Sequence, residues 1–415
     1  MELSGALVDS RILGLAGRLA PGAARRDRGE EQALYGFREA LHHWVVSPLQ
    51  GVTFPTWRRI VTDPRIEIDP RYRPRILATG LASLVNSLQA RIEERRFGGR
   101  ARSVRVEAPV FILGHYRSGT THLHNLLAVD SRFAFSNYYQ ATFPNTFLTT
   151  ERIGSRLGFL SIDKRPHDDV ALGVGAPAED EIALCSDTLL SPHMGWHFPK
   201  RAGDYERYLT FRDVTRDERE RFKQSMARFA RKLTLKYDRP LVFKSPCHTA
   251  RIRLILETFP DARFIHIHRD PFTVFQSTRN MERKVGPLFQ FQRRDLSLID
   301  EAILSRYRRT YAAYLEDRGL IPPARLVELS YESLTRDPLR ALQTLYAHHG
   351  FPPFESVRAD VKRYLSGING YRTNEYGRLE PGLAERIVRE WGPFFGEWVH
   401  AGGASPRIPA STANR

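Results

Sequence analysis

The 415-residue sequence has only two cysteines, no long apolar run and no carboxylate cluster with metal-ligand spacing. Cys185 and Cys247 cannot form the framework of a disulfide-stapled secreted fold, so we expect a reducing, cytoplasmic compartment. No run of about 18 apolar residues is present, which argues against a membrane-spanning helix. The first 30 residues lack a clean apolar stretch before a cleavage site, and we therefore expect no secretory signal.

Positive charge is the main bias in composition, with a formal net charge of +16. This excess is typical of an arginine-rich proteome, but it also fits anionic ligands, an anionic membrane surface or nucleic acid. The basic residues are scattered rather than interleaved with aromatic residues along one helix, so a nucleic-acid partner is not expected. The apolar content of 41% is ordinary for a globular protein.

Residues 1–104 are predicted to form a helical N-terminal extension. The segments "EQALYGFREALHHWVV" and "PRILATGLASLVNSLQARIEERRF" have apolar residues at helical spacing, and the second is expected to stop at Gly98–Gly99. Between them lies "SPLQGVTFPTWRRIV", in which aromatic residues stand near arginines. The extension either packs on the main domain or forms an amphipathic surface that touches a membrane or an apolar substrate.

From residue 105 onward the pattern changes to short β-branched and aromatic runs that alternate with helical stretches. The runs are "APVFILG", "RFAFSNYY", "RPLVFKS", "ARFIHIHRD" and "RLVELSY". This alternation predicts an α/β domain over 105–400, with a central parallel sheet flanked by helices and ligands at the carboxyl ends of the strands. Residues 140–238 are predicted to be an inserted, substrate-shaping region, and 401–415 a disordered tail.

The segment "VFILGHYRSGTTHLHNLL" has the form of a phosphate-binding loop. Gly114 and Gly119 bracket it, and glycine lets the backbone turn its N–H groups toward an anion at the start of the following helix. Ser118, Thr120 and Thr121 add hydroxyl donors. The strand before the loop and the helix after it are the context that a phosphate loop requires.

The lysine of a nucleoside triphosphatase loop is missing here, because Thr120 stands in its place. A triphosphatase uses that lysine and a magnesium ion to neutralise a highly charged phosphate. A sulfuryl group carries one negative charge fewer than a phosphoryl group. Hydrogen bonds from the loop and one cation, for which Arg117 is placed, can therefore hold it without a metal.

Two further strand ends carry polar side chains. In "ARFIHIHRDPFTVFQSTRNM", Arg269 ends a strand and Ser277 lies nearly two turns into the next helix, so both can converge on one phosphate. In "LVFKSPCHTARIRLILETFP", Lys244 ends another strand at the face where chemistry is expected.

These motifs, followed by "VELSYESLTRDP", resemble in this order the sulfotransferases that use 3′-phosphoadenosine 5′-phosphosulfate (PAPS). The likeness spans roughly 105–395 and is greatest to the bacterial branch near the tyrosylprotein sulfotransferases, whose loop also reads R-S-G-T-T. The resemblance implies a P-loop-type sheet and transfer of a sulfuryl group from PAPS to a hydroxyl of an unidentified acceptor. It implies no metal.

The resemblance also implies how the donor is bound. The loop at 114–121 would hold the 5′-phosphosulfate, and Arg269 with Ser277 would hold the 3′-phosphate. Tyr331 would lie beside the adenine. Arg372, in the glycine-rich segment "GINGYRTNEYGRLEPGL", is a candidate for a late loop that closes over the nucleotide.

For catalysis, the resemblance makes Lys244 the residue that stabilises the leaving oxygen, with Arg117 as the cation of the loop. The glutamate base of the tyrosylprotein branch has no counterpart, because the corresponding "FSNYYQATFP" holds no acid. Glu179, Asp180 and Glu181 are the best substitutes, and Glu179 and Glu181 are our catalytic candidates. The alternative is that these acids have no catalytic role and only stabilise the positive N-terminal end of a helix dipole.

Histidine is the base in the cytosolic small-molecule sulfotransferases and stays an alternative here. The candidates are His115, His122, His193, His197 and His248. His266 and His268 share one strand face but lack a third ligand of suitable spacing, so no metal site is expected.

Two other functions stay open at this point: a P-loop kinase, and a non-catalytic protein that binds a nucleotide or a membrane. The missing lysine counts against the kinase, and Lys244 against the binding protein. Aromatic residues in 138–147 and 194–208 favour a bulky or apolar alcohol, so the expected partner is a small-molecule or lipid-like acceptor. A peripheral membrane contact is an alternative that the charge allows.

Overall fold

The computed structural model describes residues 48–154, 175–368, 376–377 and 379–399. Its centre is a parallel sheet of four strands in the order β2-β1-β3-β4. The strands are β1 (Val110–Leu113), β2 (Val242–Lys244), β3 (Arg263–His268) and β4 (Leu326–Ser330). The predicted α/β class with a central parallel sheet is confirmed.

The central strand β1 is entirely apolar and buried, because it is covered on both faces. Alternate residues of β1 enter different cores: Phe111 and Leu113 pack on one side of the sheet, and Val110 and Ile112 on the other. The Phe111 ring lies 5.3 Å from that of Phe243 in β2, measured between ring centroids. These contacts fix the carboxyl ends of β1 and β2 side by side.

Helices make up most of the remaining described chain. The α-helices are α1 (Phe54–Val61), α2 (Arg73–Ser103), α3 (Thr120–Ala128), α4 (Tyr138–Thr142), α5 (Phe147–Gly154), α6 (Asp180–Thr188), α7 (Met194–His197), α8 (Ala202–Tyr205), α9 (Arg216–Tyr237), α10 (Ile252–Thr258), α11 (Pro271–Phe289), α12 (Ile299–Asp317), α13 (Tyr331–Arg336), α14 (Pro338–His349), α15 (Arg358–Gly367) and α16 (Pro381–Val399). Short 3₁₀ helices lie at Pro48–Gly51, Pro70–Tyr72, Pro199–Arg201, Glu206–Leu209, Pro246–Ala250, Leu296–Leu298, Arg318–Leu320, Pro323–Arg325 and Phe354–Ser356. None of the helices in the described ranges combines the length and hydropathy that crossing a bilayer requires.

The strand expected at "RFAFSNYY" is reduced to two isolated bridges, a parallel one between Ala134 and Leu241 and an antiparallel one between Asn137 and Pro177. A helix start intervenes instead. The Asn137 side chain accepts a hydrogen bond from the Gln140 N–H at 2.9 Å, and the Gln140 side chain accepts one from the Asn137 N–H at 3.1 Å. This capping box begins α4 and ends the extended run.

The expected helix stop at Gly98–Gly99 is wrong, because α2 continues to Ser103. Gly98 and Ala101 are buried in the helix, and Arg102 forms an ion pair with Glu94 across the two glycines. Packing and charge therefore outweigh the weak helix propensity of glycine.

The inward side of α2 is largely polar. Polar side chains occupy the buried positions, among them Thr79, Ser83 and Asn86. Asn86 Nδ2 donates hydrogen bonds to the carbonyls of Gln50 and Val52 at 2.6 and 3.0 Å. Most large apolar residues of the helix, among them Leu77, Leu81 and Leu88, are exposed, whereas Ile76 is buried.

The predicted boundary at residue 104 and the substrate-shaping role of 140–238 stay predictions. Within the described ranges, the chain between β1 and β2 is helical, as expected for an inserted helical region. The predictions for residues 31–46 and for the tail at 401–415 lie outside the described residues.

Candidate active site

The loop between β1 and α3 depends on two glycines. Gly114 has φ +146° and Gly119 has φ +99°, both in the region that side-chain-bearing residues rarely adopt. A Cβ atom at Gly119 would lie 2.3 Å from Tyr331 Cδ2, and one at Gly114 would lie 2.4 Å from the Ile267 carbonyl oxygen. Neither position has room for a side chain, so the loop approaches the ends of β3 and β4 closely.

Hydrogen bonds that involve side-chain hydroxyl groups stabilise the conformation of the loop. The Gly114 N–H donates to Thr249 Oγ1 at 2.7 Å, and Ser118 Oγ donates to the His115 carbonyl at 2.7 Å. Ser118 is fully buried. Thr120 and Thr121 form the first turn of α3, where the backbone N–H groups lack partners within the helix and attract anions.

Arg117 links the loop to the adjacent strand-end residues. Its Nε donates to Ser277 Oγ at 2.9 Å, and its carbonyl accepts a hydrogen bond from Arg269 Nη1 at 3.3 Å. The Arg269 guanidinium lies over the Tyr331 ring, 4.2 Å from its centroid. Four residues predicted from three separate motifs, together with Gly119, therefore lie in one group.

Lys244 is the last residue of β2 and forms an ion pair with Glu179, the N-cap of α6. Lys244 Nζ lies 2.6 Å from Glu179 Oε1 and 3.4 Å from Thr121 Oγ1. The lysine side chain is 3% exposed and the glutamate side chain 24%. A cation and a more open carboxylate thus lie beside the phosphate loop.

The two acids after Glu179 have different surroundings. Asp180 accepts hydrogen bonds from the Lys244 N–H at 3.2 Å and from His248 Nε2 at 2.6 Å. Successive helix residues point about 100° apart, which explains why neighbouring acids reach different partners.

Glu181 lies in a fully buried ion pair. It accepts hydrogen bonds from Arg251 at 2.5 and 3.0 Å and from Ser191 Oγ at 2.5 Å. Burial of the carboxyl opposes ionisation, but the Arg251 cation outweighs it and lowers the pKa of Glu181 to about 2. The environment of Glu181 therefore does not favour its predicted catalytic role, since the side chain is inaccessible to solvent and committed to Arg251.

The candidate histidines are mostly buried and make contacts that stabilise the fold. Burial lowers the pKa of four of them, which are His115, His122, His193 and His197. Hydrogen bonds join His197 Nδ1 to the Phe289 carbonyl at 2.7 Å and His193 Nε2 to Tyr116 Oη at 3.0 Å. The fifth candidate, His248, is engaged by Asp180.

Burial also lowers the pKa of His266 and His268, the pair on one strand face. Across the part of the chain that the structure describes, no three potential ligands come together at a metal-binding spacing.

Several contacts of the site were not predicted from the sequence. Thr249 holds the Gly114 N–H, and Tyr376 Oη donates to Ser277 Oγ at 3.1 Å. Tyr376 comes from the same glycine-rich segment as Arg372, which lies outside the described residues. The glycine-rich composition of this segment was the sequence signal, and its described residue Tyr376 contacts Ser277.

A model of the sulfotransferase family matches residues 109–356, more than half of the chain. The chain belongs to the sulfotransferase family. It is therefore an enzyme, and the resemblance inferred from the loop and the strand ends is confirmed.

Named relatives of this sulfotransferase include omega-hydroxy-beta-dihydromenaquinone-9 sulfotransferase Stf3 of Mycobacterium bovis and of Mycobacterium tuberculosis. Each is 35% identical over 335 residues, which cover 80% of this chain and 86% of the relative.

Solved structures support the fold. Sulfotransferase STF9 from Mycobacterium avium aligns with a TM-score of 0.63 at 22% identity, covering 84% of this chain and 92% of that one. Sulfotransferase STF1 from Mycobacterium tuberculosis aligns with a TM-score of 0.57 at 16% identity, covering 82% and 94%.

Proposed function

We propose that this sulfotransferase moves a sulfuryl group from PAPS to a hydroxyl of a lipid-like acceptor, with Glu179 as the general base. The observation that carries the proposal is the Lys244–Glu179 pair, 2.6 Å apart at the carboxyl end of β2 and adjacent to Thr121. A proton acceptor and a cation lie together at the end of the loop that binds an anion.

The residues present fit the donor. The glycine-lined loop from Gly114 to Thr121 would hold the 5′-phosphosulfate with N–H groups and hydroxyls. Arg269 and Ser277 would hold the 3′-phosphate, and Tyr331 would lie beside the adenine. Because Arg117 donates to Ser277, we assign Arg117 to the 3′-phosphate as well, rather than to the transferred group.

The donor supplies the sulfuryl group, and the protein supplies acid–base and electrostatic assistance. Glu179 would accept the proton of the acceptor hydroxyl as that oxygen bonds to sulfur. Lys244 and Thr121 would donate hydrogen bonds to the phosphate oxygen that gains the electron pair when its bond to sulfur breaks. Glu181 has no part in this mechanism because its carboxylate is buried against Arg251.

An apolar acceptor is supported by the aromatic side chains next to the loop. Tyr116 belongs to the loop, and the centroid of its ring lies 6.0 Å from that of Trp196. Trp196 in turn lies 6.2 Å from Phe289, and both are only partly buried. The name of the relative Stf3 refers to a hydroxylated menaquinone derivative, a molecule of the same apolar class.

The test is transfer from radiolabelled PAPS to two acceptors at equal concentration, an isoprenoid alcohol and a disaccharide. We expect the alcohol to be sulfated, the disaccharide to remain unlabelled, and transfer to persist in EDTA. Trp196→Ala should raise the KM for the alcohol and leave the affinity for the donor product unchanged.

Two outcomes would contradict the proposal. Phosphoryl transfer from ATP without sulfuryl transfer from PAPS would favour the kinase. Tight binding of 3′-phosphoadenosine 5′-phosphate without transfer to any hydroxyl in a broad library would favour a binding protein.

A further inference from the structure

The outward face of α2 carries a continuous apolar stripe. We define the stripe by six residues whose exposed fractions lie between 39% and 70%, namely Leu77, Leu81, Leu84, Val85, Leu88 and Ile92. Their spacing places them along one side of the helix, over a length of about 22 Å. Between Pro74 and Ala90, the exposed positions hold only apolar residues.

Hydrogen bonds on the opposite face fix this orientation. Arg75 Nη2 donates to the Leu288 carbonyl at 2.7 Å, and Asn86 donates to the carbonyls of Gln50 and Val52. Turning the helix to bury the apolar residues would break these buried hydrogen bonds and leave the Leu288, Gln50 and Val52 carbonyls without these donors, at a cost in stability. The stripe is therefore a stable feature of the surface, and an apolar patch of this size marks an interaction site.

A basic cavity lies at the C-terminal end of the stripe. It has a volume of about 520 Å³ and lies between α2 and α9. Three of its lining arginines, Arg91, Arg95 and Arg231, have no acidic partner among the described residues. The acids of its lining are paired with other cations, as Glu94–Arg102, Glu93–Lys232 and Asp187–Arg228.

We propose that the stripe and these three arginines dock the enzyme on an anionic lipid bilayer. An apolar helix face enters the boundary between headgroups and acyl chains, while arginines at its end meet lipid phosphates. The net charge of +16 favours the same surface. This inference rests on the proposed function, because the bilayer would be the source of the lipid-like acceptor. Its test, in contrast, does not depend on catalysis.

Charge argues against a second copy of the chain as the occupant. Exposed arginines lie at both ends of the stripe, with Arg71 and Arg73 before it and Arg91 and Arg95 at its other end. Two such helices packed side by side would bring like charges together in either orientation. An anionic bilayer complements both ends.

The experiment is sedimentation of the full-length protein with vesicles of phosphatidylcholine, with and without phosphatidylglycerol. We expect binding to the anionic vesicles and much weaker binding to the neutral ones. Leu81→Glu with Leu88→Glu should lower the partition at least about ten-fold. Replacing Arg91, Arg95 and Arg231 by alanine should lower it roughly five-fold for each arginine.

The matched control is Leu298→Glu with Leu320→Glu, two exposed leucines outside the stripe, which should bind like the wild type. Stripe variants should keep full turnover of a water-soluble alcohol, which separates docking from catalysis. Binding that is insensitive to the stripe variants would overturn the proposal.

Two other results would also overturn it, each by assigning the stripe to a different occupant. A wild-type dimer that Leu81→Glu with Leu88→Glu converts to a monomer would assign the stripe to a second copy. A large loss of thermal stability in that variant would show that the chain itself covers the stripe.

Discussion

Replacing the two candidate bases one at a time should separate catalysis from structure. Glu179→Gln keeps the size of the side chain and an acceptor for Lys244, but it cannot take a proton as a carboxylate does. A general base contributes about 100- to 10,000-fold, and we expect kcat to fall within that range. Because the Glu179 side chain is 24% exposed and Lys244 keeps a hydrogen-bond acceptor, stability should fall by no more than about 1–2 kcal/mol.

Glu181→Gln should behave in the opposite way. It removes one charge of a fully buried ion pair and leaves Arg251, whose side chain is 0% exposed, without its counter-charge. Breaking such a pair costs about 3–5 kcal/mol in stability, whereas the turnover of the folded fraction should stay near that of the wild type.

The assay is kcat at saturating PAPS and acceptor, combined with thermal unfolding and with calorimetry of product-nucleotide binding. Near-normal turnover of Glu179→Gln would refute the reasoning. So would a Glu181→Gln enzyme that lost turnover while keeping its melting temperature.

Three further predictions concern the donor site and pH. Lys244→Ala should lower kcat by about 100-fold or more, because the lysine is proposed to stabilise charge that develops in the transition state. The affinity for the product nucleotide, measured by calorimetry, should stay within several-fold of the wild-type value. Arg269→Ala should weaken binding of 3′-phosphoadenosine 5′-phosphate by about 1.5–3 kcal/mol and leave adenosine 5′-phosphate unaffected; equal losses for the two nucleotides would contradict its contact with the 3′-phosphate. Burial lowers the pKa of His115 and His197 to about 3 from 6.5, so the unfolded chain binds more protons between those values. The free energy of unfolding should therefore fall as the pH drops from about 6.5 to 3, by up to about 1.4 kcal/mol per pH unit for each histidine, as denaturant titrations at stepped pH can check.

The loop and the strand ends could be predicted from the sequence because their signals are local. Glycines at fixed spacing, followed by hydroxyl residues, specify a turn that faces an anion, and a parallel sheet brings its strand ends to one edge. Arg117, Arg269, Ser277 and Tyr331 come from three motifs, yet they meet because those motifs end β1, start α11 after β3 and start α13 after β4.

The roles of the three consecutive acids could not be predicted, because each depends on a partner distant in sequence. Glu181 is engaged by Arg251, seventy residues further along, and Asp180 by His248. The orientation of α2 could not be predicted for the same reason. Periodicity indicates an apolar stripe but not what it faces, and the buried partners of its polar side are backbone carbonyls from distant segments.

The order of the strands in the sheet also determines when during synthesis the site can form. β1 lies in the interior of the sheet, yet its neighbours are made much later, since Val110 pairs with Val242 and Arg263. At about 5–20 residues per second, roughly 7–26 seconds separate Val110 from Val242 on the ribosome. For that interval an apolar strand has two unpaired edges, a state that favours aggregation. Nascent chains arrested before residue 242 should therefore aggregate, whereas chains that extend past β4 should not.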